Sequence, residues 1–402
     1  MNADLLTRLA QAHTEEERTW LVTENLLHTL SPELQSAIWA SVIPHWFDAE
    51  ILAALRPELT ETAEEIYGQL QQLPFVEVFP GRGHNIHERT RRAMLEQLWQ
   101  VNSEEFKQLS GNAAQYFSSD SPENQIEAIY HQVVADPDKG DEHFWDLAQT
   151  WYNNFRLVEL EAILDNLQEH MQQQRLGPLL IAGALYWRGR ARFRGYRNDK
   201  ALENYEQAIG LFRDVGDRLG EANTLMAIGD VLQFLDRRDE ALENYEQAIG
   251  LFRDVGSRLG EANTLKAIGD VLQFLKRNDE ALENYEQAIG LFRDVGDRLG
   301  EANTLLGLGD LRDHKEEALE LYWAAQQLYD QIGHQYSQAR NLRWFIAEAQ
   351  AALGQVSAAQ SSLQVAAEMF NRIGLDNYRD EALRRIEALQ AIKSQVTDQP
   401  EN

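Results

Sequence analysis

The chain has 402 residues, longer than one domain usually runs, so two or more core-bearing regions are expected. Apolar residues make up 44%, charged 25% and aromatic 9%, the composition of a globular soluble protein rather than a disordered or fibrous one. With 37 basic against 65 acidic side chains the formal charge is -28, which opposes a dense phosphate-gripping surface, and the lack of cysteine excludes disulfides, thiolate metal sites and cysteine nucleophiles.

The opening MNADLLTRLA has neither the basic start nor the apolar run of a secretory signal. The most apolar run, Leu179 to Trp187, is too short to cross a bilayer. These features predict a cytoplasmic protein with no membrane association. Three short helices are expected over 32–43, 48–55 and 61–73. A β-prone stretch Phe75-Val76-Glu77-Val78-Phe79 follows, then the turn Pro80-Gly81-Arg82-Gly83 and a returning segment 84–87. Helices over 89–99 and 103–117 complete this block, and further helices over 122–134 and 141–171 bridge to the second half. Trp20, Trp39, Trp46, Trp99, Trp145 and Trp151 are expected to fill the cores of the first half. Eight of the nine prolines lie between Pro32 and Pro178 and none between 179 and 399, which suits a stack of helices in the second half.

That second half repeats. Residues 200–239 and 240–279 match at 35 of 40 positions, and a third copy begins at Ala281. Gly216, Gly256, Gly296, Gly333 and Gly374 close the units, so the steps are 40, 40, 37 and 41 residues. Each unit reads as two helices: Leu225, Ile228, Gly229 and Leu232 share one face of the first, and Ala241, Tyr245, Ala248 and Leu251/Phe252 one face of the second. Asp239 is expected to cap the second helix and Gly256 to stop it. The array is expected to begin with a hairpin near Pro178 and to end in a capping helix over 376–392, with a disordered tail over 393–402.

The pattern Leu225-x2-Ile228-Gly229-x2-Leu232 followed by Ala241-x3-Tyr245-x2-Ala248 resembles the tetratricopeptide repeat in a 40-residue form, with Arg253 where that family usually has proline. The resemblance implies a mainly α fold, an α-solenoid of about five helical hairpins over 179–392. It also implies that the first helices line a concave wall. The wall positions are Asn223, Met226, Asp230, Gln233 and Phe234, then Asn263, Lys266, Asp270, Gln273 and Phe274, then Asn303, Leu306 and Asp310. A ladder of Asn, Asp and Gln can hydrogen-bond an extended peptide and complement basic side chains; equally, these are the solvated faces of near-copied units. Position 226/266 is the one difference between the first two copies that falls on this wall.

Ahead of the solenoid, three helices, a hairpin and a helix over 1–102 give a winged-helix-like layout, and 103–178 a helical bridge. This order resembles the C-terminal half of STAND-type regulatory ATPases, carried by LPFVEVFPGRGHNIHERTRRAMLEQLW (73–99) and SEEFKQLSGNAAQYF (103–117). The nucleotide-binding signature GxxxxGK[ST] is missing, and no Gly-Lys dipeptide occurs, so ATP switching does not carry over. The expected function is a non-enzymatic scaffold or adaptor that binds a peptide or helical partner, basic in character. It would carry a regulatory N-terminal module, need no cofactor, and work beside a separate ATPase or effector. The alternative is a ligand-responsive transcriptional regulator, but Glu61, Glu64 and Glu65 and the lack of Lys or Arg over 61–69 argue against DNA binding.

Two clusters remain. Arg188, Arg190, Arg192, Arg194 and Arg197 crowd the first hairpin with no acid among them, and Arg188 and Arg192 stand where later copies have Ile228 and Leu232. They meet either an anionic ligand or an acidic face of the bridge such as Glu159, Glu161 and Asp165. His84 and His87, with Glu88, lack the HExxH order of a metal site and read as structural, so no metal and no catalytic residue is nominated.

Overall fold

The computed structural model describes residues 3–397, with side chains from 5 to 391. The chain is mainly α-helical and divides into two compact units, Met1–Leu211 and Phe212–Asn402. The first unit contains α1 (Ala3–Gln11), α2 (Glu15–Leu27), α3 (Pro32–Ser41), α4 (Ala49–Leu55), a short 3-10 turn (Pro57–Leu59), α5 (Ala63–Leu70), β1 (Val76–Val78) and β2 (His84–Ile86). It continues with α6 (Glu88–Val101), α7 (Ser103–Tyr116), α8 (Pro122–Ala135), α9 (Pro137–Asn153), α10 (Leu157–Gln172) and α11 (Pro178–Arg194); α12 (Asn198–Val215) runs across the division.

The prolines of this half mostly open helices. Pro32, Pro122, Pro137 and Pro178 stand in the first turn of α3, α8, α9 and α11, where the missing N–H costs no bond. Ser31, Ser121 and Asp136 cap three of these starts through their side chains. The strands pair antiparallel with Val76 opposite Ile86 and Val78 opposite His84. Phe47 extends the hairpin by exchanging hydrogen bonds of 2.7 and 2.9 Å with His84. Gly83 makes that approach possible: its φ is +91°, and a Cβ there would lie 2.5 Å from the Phe47 carbonyl.

Three expectations for this unit need correction. Segment 61–73 holds only the shorter α5, preceded by the 3-10 turn. The single helix over 141–171 is two, α9 and α10, broken at Phe155 with φ +59°. The apolar period runs straight through the break because Trp151, Tyr152, Leu160 and Ile163 all turn inward. The turn itself pairs Phe155 N–H with Tyr152 and Arg156 N–H with Trp151. The same two bonds recur at Tyr196 and Asp236, so the hairpin turn of the repeats also joins α9 to α10. Of the six tryptophans only Trp151 is fully buried. The others are half-buried and packed edge-on or tilted against partners, as Trp20 is against Trp39 at 5.7 Å and Trp46 against Phe117 at 5.3 Å.

The second unit is a run of helical hairpins: α13 (Arg218–Phe234) with α14 (Arg238–Asp254), α15 (Arg258–Phe274) with α16 (Asn278–Val295), and α17 (Arg298–Asp310) with α18 (Lys315–Ile332). In the last hairpin α19 (Gln335–Asn341), a π-helical turn (Leu342–Ile346) and α20 (Ala347–Ala352) pair with α21 (Val356–Arg372), and α22 (Asp376–Thr397) follows. The unequal repeat steps now have causes. The 37-residue step reflects α17, 13 residues long where α13 and α15 have 17. The 41-residue step reflects one extra residue in the first helix of the last hairpin, taken up by the π turn rather than by a loop. Asp239 lies inside the first turn of α14, whose N-cap position is Arg237. Gly256 follows its end with φ +71°. Helix α22 extends five residues into the expected tail; 398–402 lie outside the described residues.

The first three of these hairpins close on a glycine, Gly229, Gly269 and Gly309. A Cβ on Gly229 would lie 2.4 Å from the Tyr245 ring and one on Gly269 2.5 Å from the Tyr285 ring, while Gly260 meets Phe252 at 2.4 Å. The tyrosine of the second helix therefore lies directly on the backbone of the first, and these tyrosines are fully buried. Gly269→Ala is expected to cost about 1–3 kcal/mol by overpacking. Gly250→Ala, whose Cβ would meet nothing within 4 Å, should instead stabilise by about 0.5–1 kcal/mol. Urea melts of the two variants side by side check the pair; equal effects would mean that the close approach is not what selects glycine.

Candidate peptide-binding face

Asn223, Met226, Asp230 and Gln233 recur at helical spacing along α13 and share one face of it; Asn263, Lys266, Asp270 and Gln273 do the same on α15, and Asn303, Leu306 and Asp310 on α17. Helix α15 touches both α13 and α17. Asn263 and Asp310 are exposed, Leu306 is buried, and the other members are half-buried. Phe234 and Phe274 extend the face with 55% and 62% exposure, unusual for large apolar side chains.

The polar groups of this face are anchored from behind. The Tyr245 hydroxyl lies 2.8 Å from Asp230 Oδ1 and 3.1 Å from Gln233 Oε1, and Tyr285 stands 2.8 and 2.9 Å from the matching atoms of Asp270 and Gln273. A phenol has one proton, and the carboxylate is the stronger acceptor. In the third of these hairpins Tyr322 donates to Asp310 at 2.6 Å, and Tyr329 and Arg340 both donate to Asn303, at 2.8 and 3.1 Å. Burial, reinforced by the neighbouring Asp230 and Asp270 carboxylates, raises the pKa of Tyr245 and Tyr285, so both remain neutral donors. Although Asp310 as a residue is exposed, its carboxyl is partly sheltered beside Tyr322, and that desolvation raises it above its usual range. Lys266 Nζ reaches Asp270 Oδ2 at 2.5 Å, and Met226 and Leu306 stand at the equivalent positions. In the sequence Tyr245 and Tyr285 read as core, and their position 15 residues after Asp230 and Asp270 does not by itself tell a solvated hydroxyl from one bound to the aspartate.

Four of the five arginines of the first hairpin turn inward on their own unit. Arg188 donates to the Leu164 carbonyl at 2.6 Å and pairs with Asp165 at 3.2 Å, and Arg192 lies 3.6 Å from Glu161. Arg190 donates to the Tyr186 hydroxyl and lies 4.5 Å above the Tyr152 ring. Arg194 donates to the Tyr152 carbonyl and stacks on Tyr152 and Phe155. Glu159 pairs with Arg156 instead, and Arg197 is exposed. His84 Nδ1 meets the Tyr67 hydroxyl at 2.7 Å.

A buried ionic network in the first unit had no sequence signal at all. Arg91 on α6 reaches Glu169 at 3.0 Å and the Ile43 carbonyl and Tyr130 hydroxyl at 3.1 Å, and Tyr130 donates to Glu169 at 2.9 Å. His170 lies 2.9 Å from the Tyr130 carbonyl through Nε2 and 3.4 Å from Arg175 through Nδ1. Glu127 is buried between His45 at 2.5 Å and His131 at 3.2 Å. Burial alone would raise both glutamates, but His45 and His131 hold Glu127, and Arg91 holds Glu169, well below the usual range.

Comparison with known proteins places the hairpins. They form a repeated helix–turn–helix architecture of the solenoid class. Segments 180–254 and 260–322 match the tetratricopeptide repeat family, so these hairpins are tetratricopeptide repeats. No curated protein matches the chain. Similar solved structures include BtubC from P. vanneervenii, 17% identical over 55% of this chain and 92% of that one with a TM-score of 0.46. NprR in complex with its cognate peptide NprX is 17% identical over 72% and 84%, with a TM-score of 0.46. A STAND ATPase with a tetratricopeptide repeat sensor from Pyrococcus horikoshii is 12% identical over 97% and 68%, with a TM-score of 0.43. No helix among the described residues is long and apolar enough to cross a membrane.

Proposed function

We propose that the chain is a non-catalytic interaction scaffold whose shared face on α13, α15 and α17 binds an extended segment of a partner protein. The observation that carries the reading is the repetition, on three successive helices, of amide and carboxylate side chains whose rotamers are held by tyrosine hydroxyls of the paired helices. Groups fixed before binding lose little freedom on binding. Asn223 and Asn263 are the members to test, because Asn303 is already held by Tyr329 and Arg340. In a peptide-array screen of the full chain, Asn223→Ala with Asn263→Ala should weaken the bound peptides roughly thirtyfold, about 1 kcal/mol for each lost hydrogen bond. Unchanged binding by the folded double variant would move the site elsewhere.

The first unit we read as a docking or regulatory module, with catalysis left to a separate ATPase or effector. The order of α3, α4, α5, the β1–β2 hairpin and α6 supports a winged-helix layout. Glu64 and Glu65, with no Lys or Arg beside them on α5, disfavour a nucleic-acid partner. The arginines of the first hairpin serve the interior of that unit by holding α11 against Glu161, Asp165 and Tyr152.

A further inference from the structure

The occupant of this face has a definable charge pattern. Asp230, Asp270 and Asp310 stand at the same register of three neighbouring helices, and in each the Oδ1 atom is taken by a tyrosine hydroxyl. The chain itself seats two cations here. Lys266 docks on Oδ2 of Asp270, and the Arg238 guanidinium lies 3.4 Å above the exposed ring of Phe274. The lysine is not repeated, since Met226 and Leu306 replace it beside Asp230 and Asp310. We propose, on the peptide-binding reading above, that this face takes an extended basic peptide whose two cationic side chains engage Asp230 and Asp310 and whose middle is uncharged where it passes Lys266.

The spacing follows from packing. Neighbouring helices lie about 8–10 Å apart, so two steps from α13 to α17 cover roughly 16–20 Å. An extended chain rises about 3.3 Å per residue and alternates its faces, so the two cations fall at positions i and i+6 rather than i+5. A cation at i+2 or i+4, the inner positions that share the face with i and i+6, would meet the Lys266 ammonium and be disfavoured.

The test uses the full chain and blocked synthetic peptides: one with two lysines six apart on a neutral background, one with the lysines three apart, and one with glutamates replacing the lysines. Asp230→Asn and Asp310→Asn keep an acceptor for the tyrosine hydroxyl, as Asn303 already does for Tyr329. Fluorescence anisotropy at low salt should rank the six-spaced lysine peptide first. Each Asp→Asn change should weaken that peptide about fivefold, with a shallower salt dependence. Lys266→Met should strengthen binding of a third peptide carrying an added lysine at i+2. Equal binding of the lysine peptides would overturn the spacing. Equal binding of the glutamate peptide, with no effect of Asp→Asn but a loss on Asn223→Ala, would overturn the charge assignment and leave peptide binding standing. Indifference to both sets of variants would remove both.

Discussion

Replacing Arg91 by alanine should cost the first unit about 3 kcal/mol, the lower end of the penalty for leaving a buried carboxylate without its counter-charge, because Glu169 keeps some contact with water. Arg91 is only 8% exposed, and its guanidinium serves three partners on three segments: Glu169 on α10, Tyr130 on α8 and the Ile43 carbonyl after α3. Removing it strands Glu169, whose pKa is held down, and whose charge is kept, chiefly by that same guanidinium against the opposing effect of burial. Urea unfolding followed by tryptophan fluorescence suits the measurement, because seven of the nine tryptophans precede residue 212. Combining Arg91→Met with Glu169→Gln should recover part of the loss, since no full charge is then left unpaired. A loss below about 1 kcal/mol for Arg91→Ala would mean that water solvates Glu169 in place of the arginine.

That network also marks where the sequence stopped being readable. The repeats were legible because near-identical copies force one local solution, and because Gly229 and Gly269 can be read as close approaches even before Tyr245 and Tyr285 are seen to fill them. The candidate face was legible as a register of Asn, Asp and Gln. Its anchoring was not, since a tyrosine at an apolar position looks the same whether its hydroxyl is solvated or bound to an aspartate of the helix before it. A strong local signal does not always suffice: Thr14 and Glu17 form a capping box that marks the start of α2, a helix outside the elements expected from the sequence. The break at Phe155 carried no such signal, because an aromatic residue in a left-handed turn is paid for by the stacking of Arg194 and not by its own propensity. Arg91 and Tyr130 are 39 residues apart along the chain, Tyr130 and Glu169 another 39, and Arg91 and Glu169 therefore 78. No periodicity links them, and only the packing of α6, α8 and α10 brings them together.

The same packing should make the first unit acid-labile well above the pH at which exposed carboxylates titrate. His170 is buried against the Tyr130 carbonyl and close to Arg175, and burial first, then that guanidinium, lowers its pKa to about 3. An unfolded histidine takes up its proton near pH 6.5. Below that value the unfolded chain binds a proton that the folded chain refuses, so stability is fully present above about 6.5 and falls as pH drops toward about 3. The slope is about 1.4 kcal/mol per pH unit for this one group. His131 is lowered for the same reason and acts in the same direction. Glu127 and Glu169 are depressed carboxylates, so their contribution is present above the ordinary glutamate range and is lost below about pH 4. Asp310 in the second unit is raised by the partial desolvation of its carboxyl and has the opposite sign, weakened by its exposure to solvent: its ionisation favours unfolding, so acid relieves that small cost. Thermal melts between pH 7 and pH 4.5 should therefore show the tryptophan signal of the first unit falling several degrees per pH unit. His170→Gln keeps an N–H for the Tyr130 carbonyl and removes the titration, so its melting temperature should vary less with pH over the same range. If the variant and the native chain keep the same slope, His170 already carries a proton in the folded state, and the buried contact with Arg175 must open to admit it.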